Sequence, residues 1–209
     1  MNKLSSSKMI KVQIKNPELI QKKQSQIVKG ATKLFIKKGF SQTTMREISR
    51  ASHLTIGNLY DYIGKKEDVF CLVFDSFHSV WVKRLEEEGI SKIEDPKQKL
   101  EVVLEKMLNL ANENRDKVLM VYSESKTLPK YFLKIIMEKE SKLIEYIEQI
   151  LKSGVEKGVF QIKDPFISAN IIVYFLSMEA LRGWNLRKRY TAEEVNKHIM
   201  EFIEASILR

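Results

Sequence analysis

All four prolines of this 209-residue chain lie where a helix is expected to begin, and none interrupts a helical pattern. Pro17 opens an apolar repeat, Pro96 and Pro165 each follow an aspartate, and Pro129 precedes another repeat. Proline is tolerated in the first turn of a helix, where its missing N–H needs no partner, but it breaks helix interiors. Between these points apolar residues recur at helical spacing, and only 8 glycines are present. The sequence therefore predicts an all-α fold of about nine helices.

The charge is distributed unevenly along the chain. Residues 1–70 contain 14 Lys and Arg against 5 Asp and Glu, whereas residues 71–209 contain 22 of each, so the first third carries the whole net charge of +9. Binding to a polyanion needs a concentrated basic surface, which indicates a basic module joined to a neutral body. Residues 1–16 mix serine and lysine without a helical stripe and predict a flexible basic arm. A solubilising tail is the alternative for this arm.

Residues 17–64 have the pattern of a helix-turn-helix domain. A long first helix is expected to end at Gly39, and Thr44 with Glu47 forms a capping box for a short second helix. Thr55 is the expected N-cap of a short third helix. Two short helices separated by a turn of about four residues, after a longer helix, are typical of this DNA-binding arrangement.

Segment 39–70 closely resembles the DNA-binding signature of the tetracycline-repressor (TetR/AcrR) family. The matching positions are Gly39-Phe40, Thr43-Thr44-Met45, Ile48, Leu54-Thr55, Gly57, Leu59-Tyr60, Tyr62, Lys66-Glu67, Val69 and Phe70. The resemblance implies a DNA-binding domain over 17–64, packed on a larger helical domain over 65–209 that dimerises and senses a small ligand. His53 stands where the family usually has glycine in the turn, and a left-handed backbone is expected there. Ile63 replaces a usual phenylalanine.

The exposed side of the third helix is the candidate base-reading surface. Thr55, Ile56 and Asn58 are the expected readers, since asparagine pairs bidentately with adenine and isoleucine contacts the thymine methyl group. Gly57 would let the helix backbone approach DNA closely. Relief of a helix–helix contact is the alternative explanation of this glycine.

The other candidates would hold the sugar-phosphate backbone. Helix N-termini attract phosphate oxygens, and the resemblance implies backbone contacts near the ends of these helices. These candidates are Thr43, Thr44, Arg46, Tyr60, Tyr62 and Lys66. The alternatives are helix capping for the threonines, core packing for the tyrosines and an ordinary surface position for the arginine.

Two C-terminal regions are more apolar than a monomer surface allows. Segment 166–184 is apolar around nearly its whole circumference. The last helix carries an apolar stripe of Val195, Ile199, Phe202, Ile203 and Ile207. With the resemblance, both regions are expected to form a four-helix homodimer interface, and a monomeric core is the alternative.

Large and adaptable side chains gather on the middle helices. The candidate ligand-binding residues are Phe77, Trp81, Met107, Met120, Tyr122, Ser123 and Phe132. Clusters of this kind are more often plain core than pocket. The resemblance implies a cavity among these helices, for which a small hydrophobic effector is expected, an acyl-chain-bearing molecule being one candidate.

The sequence gives no sign of an enzyme, a cofactor or a metal site. His53, His78 and His198 lack metal-ligand spacing, and Cys71 has no cysteine partner for a disulfide. The longest apolar run is too short to cross a bilayer, so no membrane partner and a cytoplasmic location are expected. We expect a transcriptional repressor that a small ligand releases from a near-palindromic DNA site. An activator, a ligand-independent regulator and a helical adaptor remain alternatives.

Overall fold

The chain folds into ten α-helices in the computed structural model, which describes residues 14–87 and 89–208, with backbone alone over 82–87. The helices are α1 (Pro17–Lys38), α2 (Met45–Ala51), α3 (Ile56–Tyr62), α4 (Lys66–Glu87), α5 (Pro96–Glu113), α6 (Arg115–Glu124), α7 (Lys130–Glu156), α8 (Pro165–Leu176), α9 (Met178–Leu186) and α10 (Ala192–Ile207). An isolated antiparallel bridge joins Phe160 and Leu208. The all-α prediction is confirmed. Most of the arm predicted for residues 1–16 lies outside the described residues.

The expected helix starts agree with the structure, but the count of about nine is one too low. Asn16, Asp95 and Asp164 each cap a helix that opens on proline, and their side chains accept hydrogen bonds from first-turn N–H groups. The extra helix arises because the apolar segment breaks at Ser177, where the backbone N–H bonds to the Tyr174 carbonyl at 3.0 Å. Neighbouring helices α8 and α9 are bent by 49° at this break.

The described residues form two compact units, and their limits differ from the predicted domain boundary at residue 64. Of these described residues, the N-terminal unit contains those up to Val80 and Met120–Ile136, and the C-terminal unit contains those from Trp81 to Leu119 and from Met137 onward. Helix α4 is therefore divided between the two units. The first residues of α7 belong to the unit that contains α2 and α3.

The N-terminal unit has an aromatic core. The rings of Phe35, Phe40 and Phe70 contact one another, with centroids 5.3 to 5.8 Å apart. Ile48 and Leu59 are completely buried beside them, and Leu54 packs against the same cluster. Ile48 lies on α2, Leu59 on α3 and Leu54 in the turn between them, so their packing fixes the angle between the two helices.

The C-terminal unit has an aliphatic core, beside which asparagine side chains link two helices by hydrogen bonds. Met107 and Leu151 lie among the buried residues of this core. Asn196 on α10 bridges Asn112 and Asn109 of α5, accepting from one amide at 3.0 Å and donating to the other at 3.2 Å. No single described helix has the length and apolarity of a membrane span, although the bent α8–α9 pair passes that test of length and composition when taken together.

Candidate nucleic-acid interface

Helix α1 holds both helices of the DNA-binding motif through glutamine side chains. The buried Gln24 donates from Nε2 to the carbonyl of Tyr62 at the end of α3, at 3.1 Å. Gln26 donates to the carbonyl of Ser52, which caps α2. These carbonyls have no partner within their own helices, so α1 satisfies them and orients α2 and α3 together.

The close approach of α1 and α2 explains a glycine in the middle of a helix. A Cβ at Gly30 would lie 2.8 Å from the carbonyl carbon and oxygen of Ala51. In the turn that follows, His53 adopts φ 51°, the left-handed conformation expected where the family usually has glycine. The turn is therefore built as the sequence predicted, with a residue less suited to it than glycine.

The candidate base-reading side chains lie together on the open side of α3. Thr55, Ile56 and Asn58 are all exposed, and Ile56 is 41% exposed although it is a large apolar residue. The Thr55 hydroxyl accepts a hydrogen bond from the backbone N–H of Asn58 and so caps α3. The Asn58 side chain makes no hydrogen bond to another described residue, which leaves its donor and acceptor available for a base edge.

Gly57 lies on this same open side of α3. A Cβ built on it would meet no atom of the described residues within 4 Å. These residues therefore give no support to the alternative explanation of Gly57, relief of a helix–helix contact. The missing side chain leaves a flat stretch of backbone between Ile56 and Asn58, which suits a close approach by a ligand.

The two threonines at the start of α2 differ in their surroundings. Thr44 is exposed and completes the predicted capping box with Glu47. Thr43 is buried, and its hydroxyl donates to the Gly39 carbonyl at 2.8 Å. The predicted contact of Thr43 with phosphate is not supported, because its hydroxyl is used to close the turn after α1.

A surface ion pair fixes the start of α2 to the end of α1. The Lys38 ammonium lies 2.6 Å from Oε1 of Glu47. This hydrogen bond, together with those from the backbone and side chain of Thr44, lowers the pKa of Glu47 from 4.5 to about 2. Glu47 therefore stays ionised near neutral pH, and its negative charge is paired with the Lys38 ammonium.

Lys66 has a role that the sequence did not reveal. Its ammonium donates to the carbonyls of Phe40, Ser41 and Thr43 at 2.8, 3.2 and 2.9 Å, and it lies 4.4 Å from the centroid of the Phe40 ring. An ammonium has three donors, and all are used. The expected phosphate contact of the Lys66 side chain is therefore not supported. The residue instead ties the first turn of α4 to the loop between α1 and α2, an arrangement that we call the Lys66 lock.

Of the two tyrosines, one fits its predicted contact and the other does not. Tyr60 is 44% exposed, and Arg46 on α2 is exposed as well. Tyr62 is only 7% exposed and packs within the core of the N-terminal unit. Core packing, the alternative given for Tyr62, describes it better than contact with the DNA backbone.

The candidate ligand-binding residues are divided between the two units. Phe77, Met120 and Phe132 are buried in the N-terminal unit, Tyr122 is half-buried and Ser123 is exposed, its hydroxyl donating to the Met120 carbonyl. Trp81 and Met107 belong to the C-terminal unit, where Met107 is part of the core.

The C-terminal unit leaves a large apolar surface open, which we call the apolar face. Its residues are Phe166, Ile167, Ile171, Tyr174, Trp184 and Phe202, which are between 48% and 68% exposed. The predicted stripe on α10 needs correction. Val195, Ile199, Ile203 and Ile207 point into the core of the unit, and of the stripe only Phe202 is exposed, with its ring 5.6 Å from that of Phe175 on α8.

Local sequence patterns predict some of the contacts in this unit and not others. The Gln24 and Gln26 bonds join α1 to helix ends 38 and 26 residues away, respectively, and no local spacing signals such long-range contacts. The Lys66 lock spans 23 to 26 residues and is equally hidden. The capping box of α2 and the left-handed turn at His53, in contrast, are local and can be predicted from the sequence.

Comparison with known sequences identifies both parts of the chain. The family profile described as bacterial regulatory proteins, tetR family, matches residues 27–71, and the profile described as tetracyclin repressor-like, C-terminal domain, matches residues 94–205. A regulator from Aromatoleum sp. (strain CIB), the HTH-type transcriptional regulator HbdR, is 24% identical over 202 residues, which cover 96% of this chain and 88% of that protein.

Solved structures share the fold. A Clostridium perfringens putative fatty acid metabolism regulator superposes with a TM-score of 0.76 and 25% identity, covering 88% of this chain and 99% of the other. AibR, solved in complex with isovaleryl coenzyme A and operator DNA, superposes with a TM-score of 0.69 and 19% identity, covering 88% and 97%. At that identity the second similarity describes the fold alone.

Proposed function

The chain belongs to the TetR family of DNA-binding transcriptional regulators, which are not enzymes, and on that premise we propose that it is a homodimeric repressor that a small hydrophobic ligand releases from a near-palindromic operator. The observation that carries the proposal is the open side of α3. Ile56, Asn58 and the bare backbone at Gly57 form a side of α3 that no described residue covers, rigidly supported by α1.

The DNA contacts that we propose follow from exposure. Thr55, Ile56 and Asn58 read base edges in the major groove, and Gly57 permits their approach. Thr44, Arg46 and Tyr60 contact the sugar-phosphate backbone, for which each is exposed. Thr43, Tyr62 and the Lys66 side chain support this surface from beneath rather than touching DNA.

A second copy of the chain is the proposed occupant of the apolar face. Six exposed apolar or aromatic residues on α8, α9 and α10 form a surface that a monomer would expose to water at a cost of about 25 cal/mol for each Å². Two-fold pairing would bury this face and present two α3 helices. Recognition helices roughly 34–36 Å apart read half-sites one turn of DNA apart, so the operator is expected to be nearly palindromic.

The proposed effector is a small molecule with an apolar part, such as an acyl-chain-bearing compound. Support comes from the relatives: one is named as a putative fatty acid metabolism regulator and another was solved with isovaleryl coenzyme A. Within the N-terminal unit, we place the effector against the helices that carry Phe77, Met120, Tyr122, Ser123 and Phe132. Trp81 and Met107 stay predictions from the sequence.

The Lys66 lock offers a route from effector to DNA. Phe77 lies on α4, eleven residues beyond Lys66, so a ligand that tilts α4 would also move the loop that positions α2. Glu124 at the end of α6 gives a second link, because its Oε1 lies 2.6 Å from where a Cβ of Gly39 would be. Effector and DNA then favour different arrangements of one structure, and each lowers the affinity for the other.

Selection from a random duplex library with the full-length protein tests this proposal. A short, nearly palindromic winner is the expected result, bound by a dimer with an affinity that falls steeply with salt. Short- and medium-chain acyl coenzyme A compounds, with free coenzyme A as the control, should then weaken binding to that duplex. Failure to enrich any sequence, with weak and uniform binding, would contradict the DNA-reading role and favour a helical adaptor.

A further inference from the structure

The solvent side of α1 carries a row of positive charges. Four exposed lysines share one stripe of this helix: Lys22, Lys29, Lys33 and Lys37. Their spacings of 7, 4 and 4 residues bring them onto the same side of an α-helix. The opposite side of α1 holds Ile27, Ala31 and Phe35 in the core, so the four side chains project away from the protein. We call this surface the α1 lysine face.

The charges of the α1 lysine face are not balanced by neighbours. None of the four lysines forms an ion pair or hydrogen bond with another described residue. Like charges four residues apart destabilise a helix by about 0.2–0.5 kcal/mol per pair, and Lys29, Lys33 and Lys37 make two such pairs. The only acidic residue in α1 is Glu18, in its first turn.

Three lysines on helices of the C-terminal unit are paired instead. Lys97 pairs with Glu101, Lys152 with Glu148 and Lys197 with Glu201, each at a spacing of four residues. A lysine that serves only solubility can sit beside a glutamate in this way at no loss. The unpaired row on α1 therefore indicates a surface kept positive for an external anion.

We propose that the α1 lysine face binds the phosphate backbone of DNA outside the base pairs that α3 reads, an inference that rests on the proposed DNA-binding function. From Lys22 to Lys37 the helix rises roughly 22 Å, a length along which duplex DNA presents about a dozen phosphates. Lysine ammonium groups act as point charges on flexible stems, so they fit phosphates without selecting a sequence. The phosphates belong either to the flanks of the operator duplex or to a second duplex.

The test compares the full-length protein with a variant in which all four lysines become glutamine. Glutamine keeps much of the stem and is a good helix former, so α1 is retained. Affinity is measured by fluorescence anisotropy at several salt concentrations for the selected site alone and for the same site extended by about ten base pairs on each side. In a second arm, the protein–operator complex is mixed with a second duplex that carries a different label, and capture of this duplex is measured. An unlabelled duplex serves as the competitor.

The wild type is expected to bind the extended duplex about tenfold more tightly than the short one. The variant should lose this gain, and its slope of log affinity against log salt should be shallower by about 3 to 4. If the extension gives no gain but the wild type captures a second duplex and the variant does not, the face serves a second duplex. Discrimination between the selected site and a scrambled duplex should stay within twofold of wild type.

A matched variant controls for the loss of four charges. Lys92, Lys126, Lys142 and Lys163 are exposed lysines outside α1, and their change to glutamine should leave the length effect intact. The inference is overturned if the α1 variant keeps the wild-type salt slopes on both duplexes, or if the matched variant loses as much. If the wild type did not discriminate between sites, that result would instead count against the proposed function. The salt slopes of the wild type and the α1 variant would still show whether the α1 lysine face binds phosphates.

Discussion

The two units of this protein use their surfaces in opposite ways. In the N-terminal unit the aromatic core lies inside, and α1 exposes a row of unpaired lysines to solvent. In the C-terminal unit three helix lysines pair with glutamates, and the six large side chains of the apolar face are exposed. The first surface suits a polyanion and the second suits another apolar surface. Within one chain, a surface with excess positive charge and a surface with exposed apolar side chains can therefore suit different partners.

The two units also differ in how their helices are held. In the N-terminal unit, side chains of α1 and α4 bond to backbone carbonyls of other elements, as Gln24 and Lys66 do. In the C-terminal unit, the polar link between α5 and α10 runs from side chain to side chain through Asn196. Bonds to the backbone fix the path of the chain itself, which is what a rigid reading surface requires.

The largest expected effect comes from disrupting the apolar face. Phe166→Glu with Ile171→Glu would place two charges where a second copy is proposed to pack, and burying an unpaired charge is costly. We expect a monomer at micromolar concentration and a loss of at least about 100-fold in affinity for the palindromic site, since the second half-site contact is no longer tethered. Light scattering coupled to size-exclusion chromatography gives the mass.

Val155→Glu is the control for this change, because Val155 is an exposed apolar residue of α7 outside the apolar face. It should remain a dimer. A double variant that keeps the dimer mass would show that the apolar face does not pair two copies of the chain. The proposed partner of the C-terminal unit's exposed surface would then be wrong.

The next effect concerns the Lys66 lock. Lys66→Met removes three hydrogen bonds from an ammonium group, including those to the carbonyls of buried Phe40 and Thr43. Bonds of this charged kind stabilise by about 1.5–3 kcal/mol, so we expect a loss of about 2–3 kcal/mol in the free energy of unfolding without DNA. Urea unfolding measures it, and Lys37→Met, an exposed lysine of α1, should change little.

A different outcome would restore the role first expected of this side chain. If Lys66→Met left the unfolding free energy unchanged and lowered only the salt dependence of DNA binding, Lys66 would be a phosphate contact and the lock would be incidental.

The smallest expected effect separates the capping box of α2, formed by Thr44 and Glu47, from a second one that Thr191 and Glu194 form at the start of α10. The pKa of Glu47 is lowered mainly by Lys38, whereas that of Glu194 is lowered mainly by the backbone and side chain of Thr191. Lys38→Met should therefore raise the pKa of Glu47 from about 2 toward 4.5 and leave that of Glu194 unchanged. Carboxyl titration by NMR measures both.

The sign of the pH effect follows from the direction of the shift. A carboxyl whose pKa is lower in the folded state stabilises it above the unfolded value of 4.5, and this contribution is lost as the pH falls toward 2. Lys38→Met should reduce the stability lost over that range. A Glu47 that still titrates near 2 in this variant would show that Thr44 alone sets its pKa.

Local signals in the sequence predicted the helices and the exposed side of α3. Capping residues, prolines and the turn at His53 act within a few residues, so their outcome can be read from spacing. The roles of Thr43, Tyr62 and Lys66 could not be read, because each depends on an element more distant in the chain or on burial. The break at Ser177 was missed since an apolar run continues through it without proline or glycine.

The claim that α3 recognises the base sequence of its DNA site is tested most directly at Asn58. Once a site has been selected, affinities are measured for every single base-pair change in one half-site, with wild type and with Asn58→Ala. We expect the variant to lose about 1–3 kcal/mol of discrimination at one base pair and to keep it at the others. Equal weakening at all positions, or an unchanged pattern of preference, would contradict the claim that the open side of α3 reads DNA.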